Sequence, residues 1–380
     1  MLNLCVALVV WGRVLSGGRE HGPTALTIDD AGRITDMQPA SRPPAVADLI
    51  VEDGWLAPGL IDLQVNGAGG VDLTSADEPA RAVEEVGDVL VEHGVTSFCP
   101  TVVSSPVSSI VERLPAYRRS GRSLGAHVEG PFIDPERRGV HYPAVLRRPT
   151  RDEVDAWLVA GPPAIVTLAP ELPGGLAAVA QLSKAGTVVS LGHSGADAEA
   201  ARAGLAAGAR MATHLFNAMP PLHHRQPGLV GALLASGATL GVIADGVHLD
   251  PLILDLVVRL AGPARVALVS DTLAAAGAPP GPGPLGEQTV HSDGRVVRRA
   301  DGTLAGSAML LDTCLRNARD WLSWLAPAEV LRMATQTPAD LLGLAGKGRL
   351  EVGADADLVV LDADWRVSET IVGGRRMARV

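Results

Sequence analysis

SLGHSGADAEAARAGLAAGARMATHLFNAMPP, residues 190–221, covers the end of one apolar run and the whole of a second, and each run reaches a histidine. The runs are Val188–His193 and Arg210–Leu215, and an alanine-rich helical pattern lies between them. This order predicts a strand–helix–strand unit of a parallel α/β protein, in which ligands gather at the carboxyl ends of the strands. His193 and His214 then either share a metal or are two packed histidines of the core.

The same alternation of strands and helices extends over most of the chain. The eight predicted strands are Leu60–Val65, Thr96–Val103, Leu124–Glu129, Ile165–Ala169, Val188–His193, Met211–Leu215, Leu240–Ala244 and Val266–Ser270. The helical patterns include Glu78–His93, Arg151–Leu158, Leu176–Ala185, Asp197–Ala207, Pro251–Ala261, Leu310–Leu322 and Pro327–Leu342. Eight strands alternating with helices predict an α/β fold with a (β/α)8 TIM-like barrel, and an open doubly wound sheet is the alternative.

Both ends of the chain show short strand patterns separated by turns, without a helical period. Residues 1–54 and 345–380 are therefore predicted to form one small β-domain, a β-sandwich built from both chain termini, beside a catalytic barrel of residues 55–344. A segment rich in Pro and Gly, residues 276–286, follows the eighth strand. It is predicted to be a surface loop near the active face of the barrel.

Composition argues against several classes of protein. The formal net charge is −10 and there is no long basic run, so a nucleic-acid partner is not expected. The apolar run at residues 2–11 is too short to span a bilayer and no basic segment precedes it, so neither a membrane anchor nor a signal peptide is expected. The three cysteines, Cys5, Cys99 and Cys314, are far apart, which favours a reducing, cytoplasmic location.

Polar side chains concentrate at the predicted strand ends, where the active sites of barrel enzymes are built. They are Gln64, Asn66, His127, Glu129, His141, His193, His214, Asn217, Asp245, His248 and Asp271. Glu129, His193 and His214 supply one carboxylate and two imidazoles from three strands, the type of ligand set that holds a catalytic zinc ion with one open position. Asp271 would stand opposite as a candidate base. His127 is expected to pack behind the ligands or in the core.

Short motifs add a resemblance to this pattern. They are PGLID at 58–62, QVNG at 64–67, HVEGPF at 127–132, GHS at 192–194, THLFNAMP at 213–220, RQPG at 225–228, ADGVH at 244–248, SD at 270–271, LAGS at 304–307 and GADADLV at 353–359. Together they resemble the amidohydrolase superfamily and, within it, the N-acetylglucosamine-6-phosphate deacetylase family. The resemblance implies a metal-dependent hydrolase of linear amides, which converts N-acetyl-D-glucosamine 6-phosphate to D-glucosamine 6-phosphate and acetate in amino-sugar metabolism.

The resemblance also implies roles for the strand-end residues. Glu129, His193 and His214 match the metal ligands of the family. Asp271 matches its catalytic acid/base. His141 matches a second catalytic residue, which contacts the substrate and polarises the acetyl carbonyl.

Further matches fall on residues that bind the sugar phosphate in the family. The implied substrate contacts are Val140, His141, Asn217, Ala218, Arg225, His248, Leu304, Ala305, Gly306 and Ser307. Arg225 and His248 match phosphate binders. The resemblance implies a homodimer, in which one or both of these residues complete the site of the neighbouring subunit.

The first strand departs from the wider superfamily. Most members carry His-x-His at its end and bind two metals, whereas this chain has Gln64 and Asn66. Neutral amides are poor ligands for zinc, so these positions are expected to be a vestigial second metal site. One divalent metal per chain follows, with Zn²⁺ as the expected ion and Fe²⁺, Co²⁺, Mn²⁺ or Cd²⁺ as the others that such ligands accept.

Two other functions are open at this stage. The chain could be another amidohydrolase, which acts on a cyclic amide or an N-acyl amino acid. The missing histidine pair on the first strand and the 213–220 motif argue against that reading. A non-catalytic sensor of amino-sugar phosphates is the second alternative, but such a protein is expected to have lost a metal ligand or Asp271, and this chain retains them all.

Overall fold

A computed structural model of the chain describes residues 6–118 and 121–377. Its strands are β1 (Val6–Ser16), β2 (Arg19–Asp29), β3 (Ile34–Pro39), β4 (Leu49–Pro58), β5 (Leu60–Val65), β6 (Gly67–Ala68), β7 (Val71–Asp72), β8 (Val95–Val103), β9 (His127–Glu129), β10 (Ile165–Leu168), β11 (Val188–Leu191), β12 (Met211–Ala212), β13 (Thr239–Val242), β14 (Val266–Leu268), β15 (Gly281–Leu285), β16 (Gln288–Ser292), β17 (Val296–Arg298), β18 (Leu304–Ser307), β19 (Leu358–Leu361), β20 (Val367–Val372) and β21 (Arg375–Arg376). Its α-helices are α1 (Pro79–Glu92), α2 (Val107–Tyr117), α3 (Arg151–Ala160), α4 (Gly175–Lys184), α5 (Ala198–Ala206), α6 (Gly228–Leu234), α7 (Pro251–Ala261), α8 (Leu311–Trp321), α9 (Pro327–Arg332) and α10 (Gln336–Leu342). Short 3₁₀ helices lie at Pro135–Arg137, Pro143–Val145 and Pro263–Arg265.

The eight predicted strands form one parallel sheet in chain order, β5-β8-β9-β10-β11-β12-β13-β14. Two hydrogen bonds join its edges, because the amide of Asp271 donates to the carbonyl of Gln64 at 3.0 Å and the amide of Asn66 donates to the carbonyl of Thr272 at 2.8 Å. These bonds close the sheet between its first and last strands. The structure therefore confirms the barrel, and the open sheet is wrong.

The sequence patterns missed two helices and the interruption of a predicted helix. α2 and α6 occupy connections that carried no predicted helix. α2 contains Pro115, a residue that argues against a helix, and α6 has seven residues of which five are buried and apolar, so it shows no polar face. The predicted helix at 327–342 is two helices, because Thr335 has φ −133° and ψ −82°, outside the helical region. In the described part of the chain, we find no helix long and apolar enough to cross a membrane.

Strands from both chain ends share a second sheet, of order β21-β20-β19-β4-β1-β2-β3. β19 from the C-terminal region pairs antiparallel with β4, and β4 pairs parallel with β1. This union of the termini agrees with the predicted fold class. β4 runs on to Pro58, past the predicted boundary at residue 54, and the domain boundaries stay a prediction. Cys5 lies outside the described residues.

The segment after the eighth strand differs from its prediction as a surface loop. Residues 281–307 form an antiparallel sheet of order β15-β16-β17-β18, so the loop prediction is wrong for 281–285. β15 contains Pro282 and Pro284, which cannot donate to a ladder, but β15 is an edge strand and pairs on one side only. The prolines obscured a strand whose partner, β16, follows immediately.

Gly192, directly before His193, has no room for a side chain. A Cβ at this position would lie 2.3 Å from Cγ2 of Thr213 on the next strand. We expect Gly192→Ala to lower the free energy of unfolding by about 1–3 kcal/mol, the usual cost of overpacking. Denaturant unfolding measures the change. The double variant with Thr213→Ser, which removes the clashing methyl but keeps the hydroxyl, should recover most of the loss; no recovery would contradict this explanation.

Candidate active site

Three side chains at the carboxyl ends of β9, β11 and β12 converge on one point. Oε1 of Glu129 lies 3.1 Å from Nε2 of His214 and 3.5 Å from Nε2 of His193, and the two Nε2 atoms are 3.0 Å apart. All three residues are buried. Within the described ranges, they form the one cluster of histidine, cysteine or acidic residues with the spacing of a metal site.

The chemistry of this cluster fits a divalent metal. Zinc bonds of about 2.0–2.2 Å to nitrogen and oxygen place tetrahedral donors roughly 3.3 Å apart, close to the three separations here. A neighbouring backbone carbonyl also orients the ring of one candidate ligand, His193. Nδ1 of His193 lies 2.9 Å from the carbonyl of Arg137, which can only accept, so in the neutral ring Nδ1 carries the proton and Nε2 keeps its lone pair. The structure thus brings the predicted ligands together.

Gln64 and Asn66 donate hydrogen bonds to two carboxylates of the site. The amide Nε2 of Gln64 donates to Oε1 of Glu129 at 2.8 Å, and Thr213 fixes the amide by donating its hydroxyl to Gln64 Oε1 at 2.6 Å. The amide Nδ2 of Asn66 donates to Oδ1 of Asp271 at 2.8 Å. Both side chains are engaged as donors to the acidic groups of the site, which favours their interpretation as a vestigial second metal site.

The backbone is strained where the site residues leave their strands. Positive φ angles of 47°, 21° and 50° occur at His193, His214 and Asp271, and Phe216 and Ala218 have 77° and 52°. Left-handed conformations are costly for residues with a side chain, and they concentrate at functional sites. The strain turns these side chains inward at the mouth of the barrel.

Asp271 has the protonation behaviour of a general base. Burial raises the pKa of its carboxyl to about 6, and the negative charge of Glu129 adds to the rise. A carboxylate with this pKa is mostly ionised at neutral pH but is a stronger base than an exposed aspartate. For Glu129, burial alone would raise the pKa, but contacts with His141, His193 and His214 outweigh it and hold the pKa well below its usual range.

His141 is set up as a hydrogen-bond donor by Ser104. The backbone amide of Ser104 lies 3.2 Å from Nδ1 of His141, and the Ser104 hydroxyl lies 2.7 Å from the same atom. An amide can only donate, so Nδ1 is the acceptor and Nε2 carries the proton. Burial lowers the pKa of His141 to about 4, with a further decrease from His193, so the ring is neutral at pH 7. Its Nε2–H lies 3.6 Å from Glu129 Oε2, at the edge of the cavity.

We expect Ser104→Ala to lower kcat about tenfold with little change in KM, because the variant loses the shorter hydroxyl contact that holds the His141 ring in place and keeps only the longer amide contact. Steady-state kinetics measures both values. Ser105→Ala is the matched control, since the Ser105 hydroxyl donates to the carbonyl of Val103 and does not contact His141. Equal kinetic losses in the two variants would argue against a role for Ser104 in positioning His141.

The cavity above the cluster has a volume of ≈ 260 Å³. Its lining contains most of the predicted site residues, namely Asn66, Glu129, Val140, His141, His193, His214, Asn217, Ala218, His248, Asp271, Leu304, Ala305 and Gly306. Gln64 lies behind Glu129. The side chain of Ser307 does not line the cavity, and its hydroxyl accepts a hydrogen bond from the backbone amide of Met309.

His248 places a positive charge beside this cavity. Its Nδ1 lies 2.6 Å from Oδ2 of Asp245, and its Nε2 lies 2.9 Å from the carbonyl of Ala305. Burial lowers the pKa of His248, but the hydrogen bond to Asp245 and its charge outweigh burial and raise the pKa overall. The carbonyl accepts and the carboxylate accepts, so the ring donates at both nitrogens as an imidazolium. The Asp245 carboxylate balances the charge of this ring, so the pair has no net charge in this conformation.

Arg225 lies outside the cavity of its own chain. It is exposed on the loop before α6, where its guanidinium contacts Nε2 of His224 at 2.9 Å, and it lines a separate surface hollow with residues 195–199 and 220–228. The single chain therefore does not bring Arg225 to the metal ligands.

Sequence reasoning missed several residues of the cavity wall. These are Val103, Gly139, Leu273, Leu285 and Thr303. Apolar side chains carry no signal of a site. Asp293-Gly294 is a typical hairpin turn and could have revealed the pairing of β16 with β17, but it says nothing about residue 285.

Known proteins with the same architecture identify the family. The model of the amidohydrolase family matches residues 55–377. The chain is 42% identical over 347 residues to N-acetylglucosamine-6-phosphate deacetylase of Danio rerio, covering 86% of this chain and 85% of the relative. It is 35% identical over 375 residues to the deacetylase of Vibrio furnissii, covering 96% and 93%. A variant N-acetyl-D-glucosamine-6-phosphate deacetylase from Mycobacterium smegmatis, solved in complex with N-acetyl-D-glucosamine 6-phosphate, matches with a TM-score of 0.91 at 33% identity, covering 97% of this chain and 98% of that one. The chain belongs to the amidohydrolase family and, within it, to the N-acetylglucosamine-6-phosphate deacetylases.

Proposed function

We propose that this protein hydrolyses the acetamide of N-acetyl-D-glucosamine 6-phosphate and releases D-glucosamine 6-phosphate and acetate. The observation that carries the proposal is the arrangement of one cavity: the candidate metal ligands, the raised-pKa carboxyl of Asp271 and the neutral donor His141 all face it. The relatives described above are named for their action on this substrate. The reaction belongs to amino-sugar catabolism or recycling.

Each residue of the site has a task in amide hydrolysis. Glu129, His193 and His214 would hold a divalent metal, which supplies Lewis-acid polarisation of the carbonyl and lowers the pKa of water when bound. Asp271 accepts a proton as the water oxygen bonds to the carbonyl carbon. The Nε2–H of His141 stabilises the negative charge that develops on the carbonyl oxygen. As the carbon–nitrogen bond breaks, Asp271 returns its proton to the departing amine, which restores the carboxylate.

Zn²⁺ is the ion we propose for the site, at one ion per chain. Two imidazoles and a carboxylate with an open position are typical of catalytic zinc, and Fe²⁺, Co²⁺, Mn²⁺ and Cd²⁺ accept the same donors. We also propose a cytoplasmic location, which the two described cysteines support: Cys99 and Cys314 are buried and unpaired, as expected in a reducing compartment.

We assign the phosphate of the substrate to the side of the cavity that Asn217, Ala218 and His248 line. Both nitrogens of His248 are engaged in this conformation, and Asp245 balances the charge of the ring, so a direct contact with the phosphate requires the ring to exchange its contact with Ala305 for the ligand. We propose that the exposed Arg225 of a second subunit in a homodimer completes the phosphate site, because Arg225 is remote from its own cavity and its guanidinium suits a phosphate.

The direct test measures product release from N-acetyl-D-glucosamine 6-phosphate, with the unphosphorylated sugar in parallel, on protein of known metal content. Acetate from the phosphorylated sugar alone, at about one metal per chain, is the expected result. A metal-loaded protein that releases acetate from neither sugar would overturn the proposed substrate. Equal release from both sugars would overturn the phosphate site.

Subunit mixing tests the role of Arg225. Arg225→Ala should chiefly raise KM for the phosphorylated substrate, and Asp271→Asn should be nearly inactive. When the two variants are unfolded and refolded together, a heterodimer acquires one site with an intact Asp271 and the Arg225 of the other subunit. Statistical mixing should then restore about a quarter of the wild-type high-affinity sites. A mixture no more active than its separate components would contradict a contribution across the dimer.

A further inference from the structure

The cavity has two chemically different sides, separated by the reacting centre. The loops after β12 and β13 supply Asn217, Ala218 and His248 to one side of the lining. Across the barrel, Val103 at the end of β8 belongs to an apolar cluster with Leu285, against which Val140 packs. Leu273 and Ala305 are members of the same apolar cluster, and the carbonyl of Ala305 contacts His248, so β18 borders both sides. The metal ligands and Asp271 lie between the two sides.

The antiparallel sheet inserted after the eighth barrel strand holds Leu285 in this apolar wall. The amide of Gly286 donates to Oδ2 of Asp72 at 2.9 Å, and the side-chain amide of Gln288 donates to the carbonyl of Val140 at 2.5 Å. Beneath the hairpin, Val290 and Val297 pack in the same apolar cluster as Leu285. These contacts attach the wall to the segment that contains Asp72 and to the loop that contains Val140.

A second hollow lies directly behind this wall. Its volume is also ≈ 260 Å³, and it shares Val103 and Leu285 with the first cavity. Its other residues include hydroxyl side chains at positions 74, 75, 104, 105 and 109. Val103 and Leu285 line both hollows, so shortening either side chain removes part of the partition between the reaction cavity and this additional space.

We propose that Val103 and Leu285 form the end of an acyl pocket that restricts the enzyme to short N-acyl groups. This inference rests on the proposed function. Suppose that the sugar phosphate occupies the side lined by Asn217, Ala218 and His248, and that the amide carbon lies between Asp271 and the metal ligands. The acyl chain then points away from the sugar, toward the apolar wall. An acetyl methyl packs there without leaving a polar group unpaired. Each further methylene approaches the two wall side chains.

The expected change in kcat/KM with acyl-chain length is taken from the apolar substrate pockets of other enzymes. One methylene too many or too few changes kcat/KM about 10- to 200-fold in such sites.

The experiment compares N-formyl, N-acetyl, N-propionyl and N-butyryl D-glucosamine 6-phosphate, with release of D-glucosamine 6-phosphate as the common readout. For the metal-loaded wild type, kcat/KM should fall about tenfold or more for each methylene beyond acetyl. In Leu285→Ala and in Val103→Ala, the butyryl-to-acetyl ratio of kcat/KM should rise about tenfold or more over the wild type. Two variants from different elements guard against a loss of folding in one of them.

Val290→Ala is the matched control, because it removes a buried side chain from the same hairpin cluster without touching the cavity. Its chain-length profile should be that of the wild type. An unchanged ratio in both wall variants, or the same rise in the control, would overturn the acyl pocket while leaving the deacetylase activity in place. A wild type that hydrolyses none of the four substrates would overturn the proposed function and the acyl pocket with it.

Discussion

Asp271→Asn is expected to lower kcat by about 10²–10⁴-fold while metal content and substrate affinity stay near those of the wild type. The amide has the shape of the carboxylate, so it can still accept the hydrogen bond from Nδ2 of Asn66, but it cannot take a proton from the attacking water. The site is otherwise unchanged, since Asp271 contacts none of the three candidate ligands by a hydrogen bond that the structure records. Steady-state kinetics, metal analysis and calorimetric titration with substrate measure the three quantities.

Asp312→Asn is a suitable control for this variant. Asp312 is also buried, but it lies at the start of α8 and pairs with Arg316 at 2.8 Å, outside the cavity. Its replacement should affect stability more than kcat. If Asp271→Asn kept a wild-type kcat, the assignment of Asp271 as the base would be rejected; if it lost its metal, Asp271 would instead support the ligand cluster.

Removal of the metal is expected to lower activity by about 10³-fold, since Lewis-acid catalysis supplies several kcal/mol and each 1.36 kcal/mol changes a rate about tenfold. One equivalent of Zn²⁺ per chain should restore the activity. Glu129→Gln should bind the metal weakly, because the substitution removes the negative charge from the ligand set. Metal analysis after dialysis and a titration of activity with Zn²⁺ measure both effects.

His127→Gln tests whether such losses are specific to the ligands. His127 lies two residues before Glu129 on β9 and is equally buried, but its nitrogens contact the carbonyl of Leu63 at 2.9 Å and the hydroxyl of Thr167 at 2.7 Å. The variant should be less stable yet keep about one metal per chain, because these contacts are structural. Unchanged metal content in Glu129→Gln would contradict the ligand set.

The barrel was predictable because each strand and each helix has a characteristic pattern of apolar residues in its own sequence. The predicted Leu60–Val65 and Pro251–Ala261 agree with the structure at both ends. The site followed from the barrel rule, since polar residues at the ends of parallel strands must meet at one face. The predicted convergence of Glu129, His193 and His214 is therefore a consequence of topology.

The inserted sheet was less predictable because its strands depend on distant partners. β15 has a Gly- and Pro-rich sequence that is typical of a loop, and it is ordered by pairing with β16 and by contacts with Asp72 and Val140. Leu285 acquires its position in the cavity only through that packing. No local pattern distinguishes a leucine in an active-site wall from a leucine in the core.

Sequence alone determined the barrel, the meeting of Glu129, His193 and His214 at its strand ends, and the family, because these depend on local periodicity and on motifs whose residues are close in the chain. Tertiary structure decided the protonation and orientation of the site. The tautomer of His141 depends on Ser104, the raised pKa of Asp271 depends on burial beside Glu129, and the position of Arg225 outside its own cavity depends on the path of a loop. These properties arise from distances and from the exclusion of water between residues far apart in the chain, which residue order does not encode directly.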